Sequence, residues 1–138
     1  MSLLARADAA RLSTAWKAAG LAPEFEWLRP PESGMVMVRG RAGGTGAPFN
    51  LGEMTVTRCT VRLSGGAVGH AHVPGRDRRH AEIAALCDAL MQQADTRETV
   101  ETAVLAPLAA EADSVAAARA ARAAATKVDF FTMVRGED

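Results

Sequence analysis

Apolar positions recur at helical spacing near the N-terminus. Ala5, Ala9, Leu12, Trp16 and Ala19 form one stripe, which predicts a helix over residues 3–19. Gly20 and Pro23 end it, glycine because it takes the left-handed conformation at no steric cost. The period then changes to two. Phe25 and Trp27 share one face of a strand over 24–29, residues 30–34 (Pro-Pro-Glu-Ser-Gly) predict a turn, and 35–41 predict a second strand, so a hairpin is expected. Residues 42–48 form a glycine-rich loop. The clearest strand signal covers 53–63, with Met54 and Val56 on one face and Cys59, Val61 and Leu63 on the other. The slip in phase near Thr57 and Arg58 predicts a bulge or a strand covered on both faces. After a turn at 64–66 the chain returns over 67–73, with His70 and His72 on one face.

A second helix is predicted over about 78–94, capped by Asp77, because Ile83, Leu86, Cys87, Leu90 and Met91 make a continuous amphipathic stripe. A short helix near 100–105 precedes Pro107. An alanine-rich helix over 109–126 carries Val115, Arg119 and Arg122, and 127–134 ends the pattern as an apolar extended segment. Strands joined by hairpins and grouped apart from helices predict an α+β fold. We expect one domain over residues 1–138, with an antiparallel sheet of four to five strands and helices packed on it.

Composition changes this picture in one respect. Hydrophobic residues make up 49% of the 138, but 30 residues are alanine and aromatics only 4%. Burying a large apolar side chain contributes about 1.5–3 kcal/mol, whereas alanine contributes little. The expected core is therefore thin, and either stability is modest or a partner completes it. Sixteen basic residues balance sixteen acidic ones, which argues against nucleic-acid binding. No apolar run reaches the roughly 20 residues of a membrane span. Arg6, Asp8 and Arg11 interrupt any signal-peptide core. Two distant cysteines, Cys59 and Cys87, match no metal or redox spacing and fit a reducing cytoplasm.

Two places carry candidate chemistry. The loop Arg41, Gly43, Gly44, Thr45 and Gly46 could turn backbone N–H groups toward an anion, with Arg39 and Arg41 adding charge, although it lacks the lysine and context of a nucleotide-binding loop. Arg76, Arg78, Arg79 and His80 crowd a helix N-terminus, a second phosphate-binding candidate. His80 borders the buried stripe and is expected to point toward the sheet. His70 and His72 offer two metal ligands where zinc takes three or four, so no metal site is expected. Cys59 and Cys87 read as core residues, and no catalytic constellation stands out. The apolar end of the chain, Val128, Phe130, Phe131, Met133 and Val134 with Arg135, has side chains on both faces of an extended segment. It predicts a partner interface and self-association of the isolated chain.

The loop Arg41-Ala42-Gly43-Gly44-Thr45-Gly46, the pairs Thr57-Arg58 and Val61-Arg62-Leu63, Gly75-Arg76-Asp77, His80-Ala81-Glu82, Asp88 to Gln93 and the end from Val128 to Gly136 together resemble the PhnG family, the G subunit of the bacterial carbon–phosphorus lyase system. The resemblance implies a subunit that, with H, I and L subunits, takes part in forming α-D-ribose 1-methylphosphonate 5-triphosphate from ATP and methylphosphonate with release of adenine. It implies the J subunit as a further partner, which cleaves the carbon–phosphorus bond with S-adenosylmethionine and an iron–sulfur cluster. Two cysteines here cannot supply the roughly four ligands of such a cluster. ATP is then a substrate of the complex, with no cofactor bound by this chain. The resemblance assigns nucleosidase activity mainly to the I subunit and carries no catalytic residue onto this sequence. A subunit with no active-site residues, serving assembly alone, is the alternative.

Overall fold

The computed structural model describes residues 1–128. The chain runs α1 (Ser2–Arg6), α2 (Ala9–Ala18), β1 (Phe25–Arg41), β2 (Pro48–Leu63), β3 (Val68–Pro74), α3 (Arg78–Leu90), α4 (Ala94–Val100) and α5 (Ala106–Ala125). The three strands form an antiparallel sheet in the order β1-β2-β3. The α+β class stands, with three strands among the described residues rather than four to five. Of the two missing strands, one is merged into β1 and the other lies almost wholly outside the described residues.

The predicted hairpin at 30–34 does not form. β1 passes straight through Pro30 and Pro31, and its register with β2 shifts there, between Arg29↔Thr60 and Glu32↔Arg58. Two prolines thus oppose the single residue Cys59, a bulge on an edge strand. Proline is tolerated in that setting because it need not donate to the ladder. The phase slip read in β2 is the strand covered on both faces at Val56 and Thr57, and not a bulge in β2 itself. β2 pairs with β3 without interruption from Val56 to Arg62. Thr57, Cys59, Val61 and Leu63 are buried toward the helices, while Val56 is buried on the opposite face.

The first predicted helix is two. Asp8 leaves helical geometry and accepts the Arg11 N–H at 3.0 Å, capping α2 where the stripe alone reads through. The short helix at 100–105 is a π turn that joins α4 to α5, just before Pro107 at the second position of α5. A widened turn relieves the clash a proline ring makes with the carbonyl four residues back.

α3 is the centre of the molecule. His80, Ala81, Ile83, Ala84, Ala85, Leu86, Cys87, Ala89 and Leu90 are all buried, so the helix is covered almost all round. One side lies on β3 at very short range. A Cβ at Gly69 would stand 2.0 Å from the Ala85 carbonyl oxygen and 2.9 Å from the Ala89 Cβ. Leu4, Leu12, Trp16, Val100, Val104 and Leu108 complete the core from the other elements. Alanine here sets the spacing between layers. No helix among the described residues is long and apolar enough to cross a membrane.

Candidate functional site

The two phosphate candidates lie apart. The first caps a ribbon made by the distal halves of β1 and β2. Gly43 (φ 60°) and Gly44 (φ 80°) take the left-handed turn that glycine permits, and the Arg41 guanidinium donates across the loop to the Gly46 carbonyl at 3.1 Å. Thr45 and Arg39 are exposed beside them. The second candidate begins at Gly75, whose N–H donates to the Thr55 carbonyl at 2.9 Å. Six residues of ribbon lie between Thr55 and Pro48, on the order of 20 Å of strand. The chain therefore does not bring the candidates together.

At the second candidate the cluster divides. Asp77 caps α3, its Oδ1 accepting the His80 N–H at 2.9 Å, as the sequence predicts. Its carboxylate also supplies negative charge beside the arginines. Arg79 pairs with Glu82. His80 turns its ring to the short α1. Its buried Nε2 donates to the Leu4 carbonyl at 2.6 Å, satisfying one of the orphan acceptors that end the short α1. Arg76 and Arg78 remain exposed.

His70 and His72 lie on the sheet face away from α3, opposite Thr60 and Arg58, and the His70 Nδ1 meets the Thr60 hydroxyl at 3.2 Å. Arg29, Arg58 and Arg62 share that face in pairs with Glu32 and Glu26. Cys59 and Cys87 are buried, and burial pushes their thiols up to about 11 and about 12, which keeps both protonated and unreactive. Val128 is exposed just beyond α5. The interface candidates Phe130, Phe131, Met133, Val134 and Arg135 lie outside the described residues.

Two features escape the sequence reading. The Asp88 Oδ2 accepts the His70 backbone N–H at 2.9 Å, and the Gln92 Nε2 donates to the Val68 carbonyl at 2.7 Å. Asp88 on α3 and Gln92 just past its end, four residues on, close part of the free edge of β3 against pairing with another chain. The other feature is the ribbon. Phe49 and Leu51 flank Gly40, each within 3.8 Å of where its Cβ would be, and Met54 stands opposite Val36. Met35 and Met37 occupy the reverse face. Met35 is 61% exposed, Met37 52%, Phe49 46% and Leu51 67%. Their alternation was visible in the sequence, but it is the same alternation that marks a core strand.

The family described as "Phosphonate metabolism protein PhnG" matches residues 1–136. A protein of Rhizobium meliloti (strain 1021), the PhnG subunit of α-D-ribose 1-methylphosphonate 5-triphosphate synthase, is 54% identical over 138 residues, which is 100% of this chain and 88% of that protein. The chain belongs to the PhnG family.

Proposed function

We propose that this chain is the G subunit of α-D-ribose 1-methylphosphonate 5-triphosphate synthase. Within the carbon–phosphorus lyase core complex it takes part in making that product from ATP and methylphosphonate with release of adenine, in the cytoplasm and alongside H, I, J and L subunits. The observation that carries this is the 54% identity to a named subunit across the whole chain. The ribbon supports a subunit rather than a free enzyme. Large apolar side chains on both its faces stay exposed, and a two-stranded ribbon without further cover is marginal in water. On this reading the ribbon and the segment from Val128 to Arg135 meet other subunits. One of the two separated candidates, Arg39 with the loop Arg41–Gly46 or the exposed Arg76 and Arg78, faces phosphate groups of the substrate. His80 is left out of this set, because its ring holds α1 to α3.

The alternative, assembly without active-site residues, draws on the division of the second cluster: Arg79 is already paired and Asp77 supplies a local anion. One experiment separates the two. The chain is co-purified with the H, I, J and L subunits, and adenine release from ATP plus methylphosphonate is measured. Either Arg41→Ala or Arg76→Ala/Arg78→Ala is expected to leave complex yield intact and lower the rate at least tenfold, since a charge-assisted phosphate contact is worth about 1.5–3 kcal/mol. Unchanged rates would assign the chain to assembly alone. Failure to co-purify would remove the subunit reading itself. The pure chain is expected to release no adenine.

A further inference from the structure

The sheet face that carries the histidines is charged, and its charges do not balance. Arg58 on β2 stands opposite His72 and Glu32, and Thr60 stands opposite His70 and Arg29. Arg62 and Glu26 form the next row. Arg58 and Thr60 are half-buried, while Arg29, Glu32, His70 and His72 are exposed. Asp88 reaches the edge of this face, where the His70 N–H engages it at 2.9 Å. Three guanidiniums thus share two strand carboxylates. Arg62 holds Glu26 at 2.6 Å. Glu32 offers one oxygen to the other two arginines, 3.6 Å from the Arg29 Nε and 3.8 Å from the Arg58 Nη2. Arg58 has the longest of these ion pairs, and the surplus positive charge falls on it.

The Arg58 guanidinium rests toward β1, over Gly34. A Cβ at Gly34 would stand 3.1 Å from Nη2, so the glycine makes that resting place. In it the Arg58 Nε is buried with no acceptor among the described residues. Buried donors are normally satisfied, because an unmet one carries its full desolvation cost. On the other side of Arg58 stands His72, whose ring enters no hydrogen bond or ion pair among the described residues. Directly opposed residues of antiparallel strands hold their Cβ atoms about 5 Å apart. A guanidinium turned toward β3 therefore presents its donors, with the imidazole, to one small ligand.

The surplus charge makes that ligand an anion. The guanidinium fork takes two oxygens, and the imidazole takes a third. A phosphate group supplies three oxygens in a tetrahedral arrangement. A carboxylate supplies two, and the Glu32 carboxylate already within reach leaves the Arg58 Nε unmet. We propose that Arg58 and His72 form a binding site for a phosphate group, free or esterified, on the open face of the sheet. Binding turns the Arg58 guanidinium from β1 toward β3, gives its Nε an acceptor and leaves Glu32 to Arg29. The site is separate from the Arg41–Gly46 loop and from Arg76 and Arg78, and it depends on neither.

Titration of the full chain with inorganic phosphate, followed by NMR at the Arg58 Nε–H and the His72 ring, tests this. Chloride holds the ionic strength constant. Both signals should shift and saturate with a dissociation constant of about 1 mM. Methyl phosphate should bind within about threefold of inorganic phosphate, and acetate at least about tenfold more weakly. Arg58→Gln removes the charge and the fork and should weaken phosphate binding at least about tenfold. Because His72 is exposed and unbonded, His72→Gln keeps the fold and should weaken binding about fivefold. Gly34→Ala closes the resting place over β1 and should tighten binding about twofold. Thermal melts of each variant separate a folding defect from a binding defect. The proposal is overturned if neither signal moves, or if the shifts stay within residues 41–46 or 76–79. It is also overturned if folded Arg58→Gln and His72→Gln bind as wild type does. Acetate binding as tightly as phosphate would overturn it too, and would assign this face to acidic side chains of a partner protein.

Discussion

α3 and α5 are both rich in alanine and end in opposite surroundings. In α3, Ala81, Ala84, Ala85 and Ala89 are fully buried. In α5, twelve of twenty residues are alanine, and the run from Ala112 to Ala125 is exposed throughout. Helix propensity does not distinguish them, since alanine favours either equally. The difference lies in what stands between the alanines. α3 interleaves them with Ile83, Leu86, Cys87 and Leu90, so one side contributes apolar area while the other lets β3 approach. α5 has Leu108 at its base and then only Val115 among long stretches of alanine and charge. Small side chains permit close approach, but larger ones must make that approach favourable. The same contrast runs along β2, where Thr57, Cys59, Val61 and Leu63 sit under α3 and Pro48–Met54 stand free.

The largest effect belongs to the close contact under α3. Gly69→Ala places a methyl group 2.0 Å from the Ala85 carbonyl oxygen and 2.6 Å from the Ala89 nitrogen, both backbone atoms that cannot swing aside. The helix must lift off β3. Overpacking typically costs about 1–3 kcal/mol, and this site falls at the upper end. Chemical denaturation should show a loss of about 3 kcal/mol. A loss below about 0.5 kcal/mol would mean that α3 is not held by this contact, and the contrast with α5 would fail.

Asp88→Ala comes next. It removes a charge-assisted bond to the His70 N–H and unblocks part of the β3 edge. The expected loss is about 1.5–3 kcal/mol, and Gln92→Ala should lose about 1 kcal/mol for its neutral bond to Val68. Both should make the protein more prone to associate as it is concentrated. If Asp88→Ala matched wild type in denaturation and in light scattering, the edge would not depend on this cover.

Much of this architecture was legible because it is local. The Asp77 cap, the strand over 67–73, the stripe of α3 and the exposed glycine loop follow from residues within a few positions of each other. What was not legible depends on partners far along the chain. Pro30-Pro31 has sound turn chemistry, and only the pairing with β2 makes it a bulge in one long strand. His80 stands at a helix start among arginines, yet its ring is committed to Leu4, 76 positions away. Asp88 and Gln92 look like solvated helix residues until β3 is laid beside them. Met35, Met37, Phe49 and Leu51 alternate as core residues do, because alternation reports apolar faces whether or not this chain covers them. The candidate site was thus legible as residue types and not as an arrangement.

The smallest change in global stability, and the sharpest separation of the two helices, is expected from hydrogen exchange with Ala117→Gly. Glycine in a helix interior costs about 1 kcal/mol relative to alanine. In α3 such a cost would fall on the whole fold, because its opening exposes the core. Residue 117 lies in a part of α5 where every neighbour is exposed, so the cost should stay local. The free energy of global unfolding should change by less than about 0.5 kcal/mol, while amides of 113–125 exchange about fivefold faster, the ratio that about 1 kcal/mol implies. Amides of α3 should keep the protection of the global transition in both proteins. Equal protection of the two helices in dilute protein would show that α5 is secured by this chain alone, and the comparison would lose its basis.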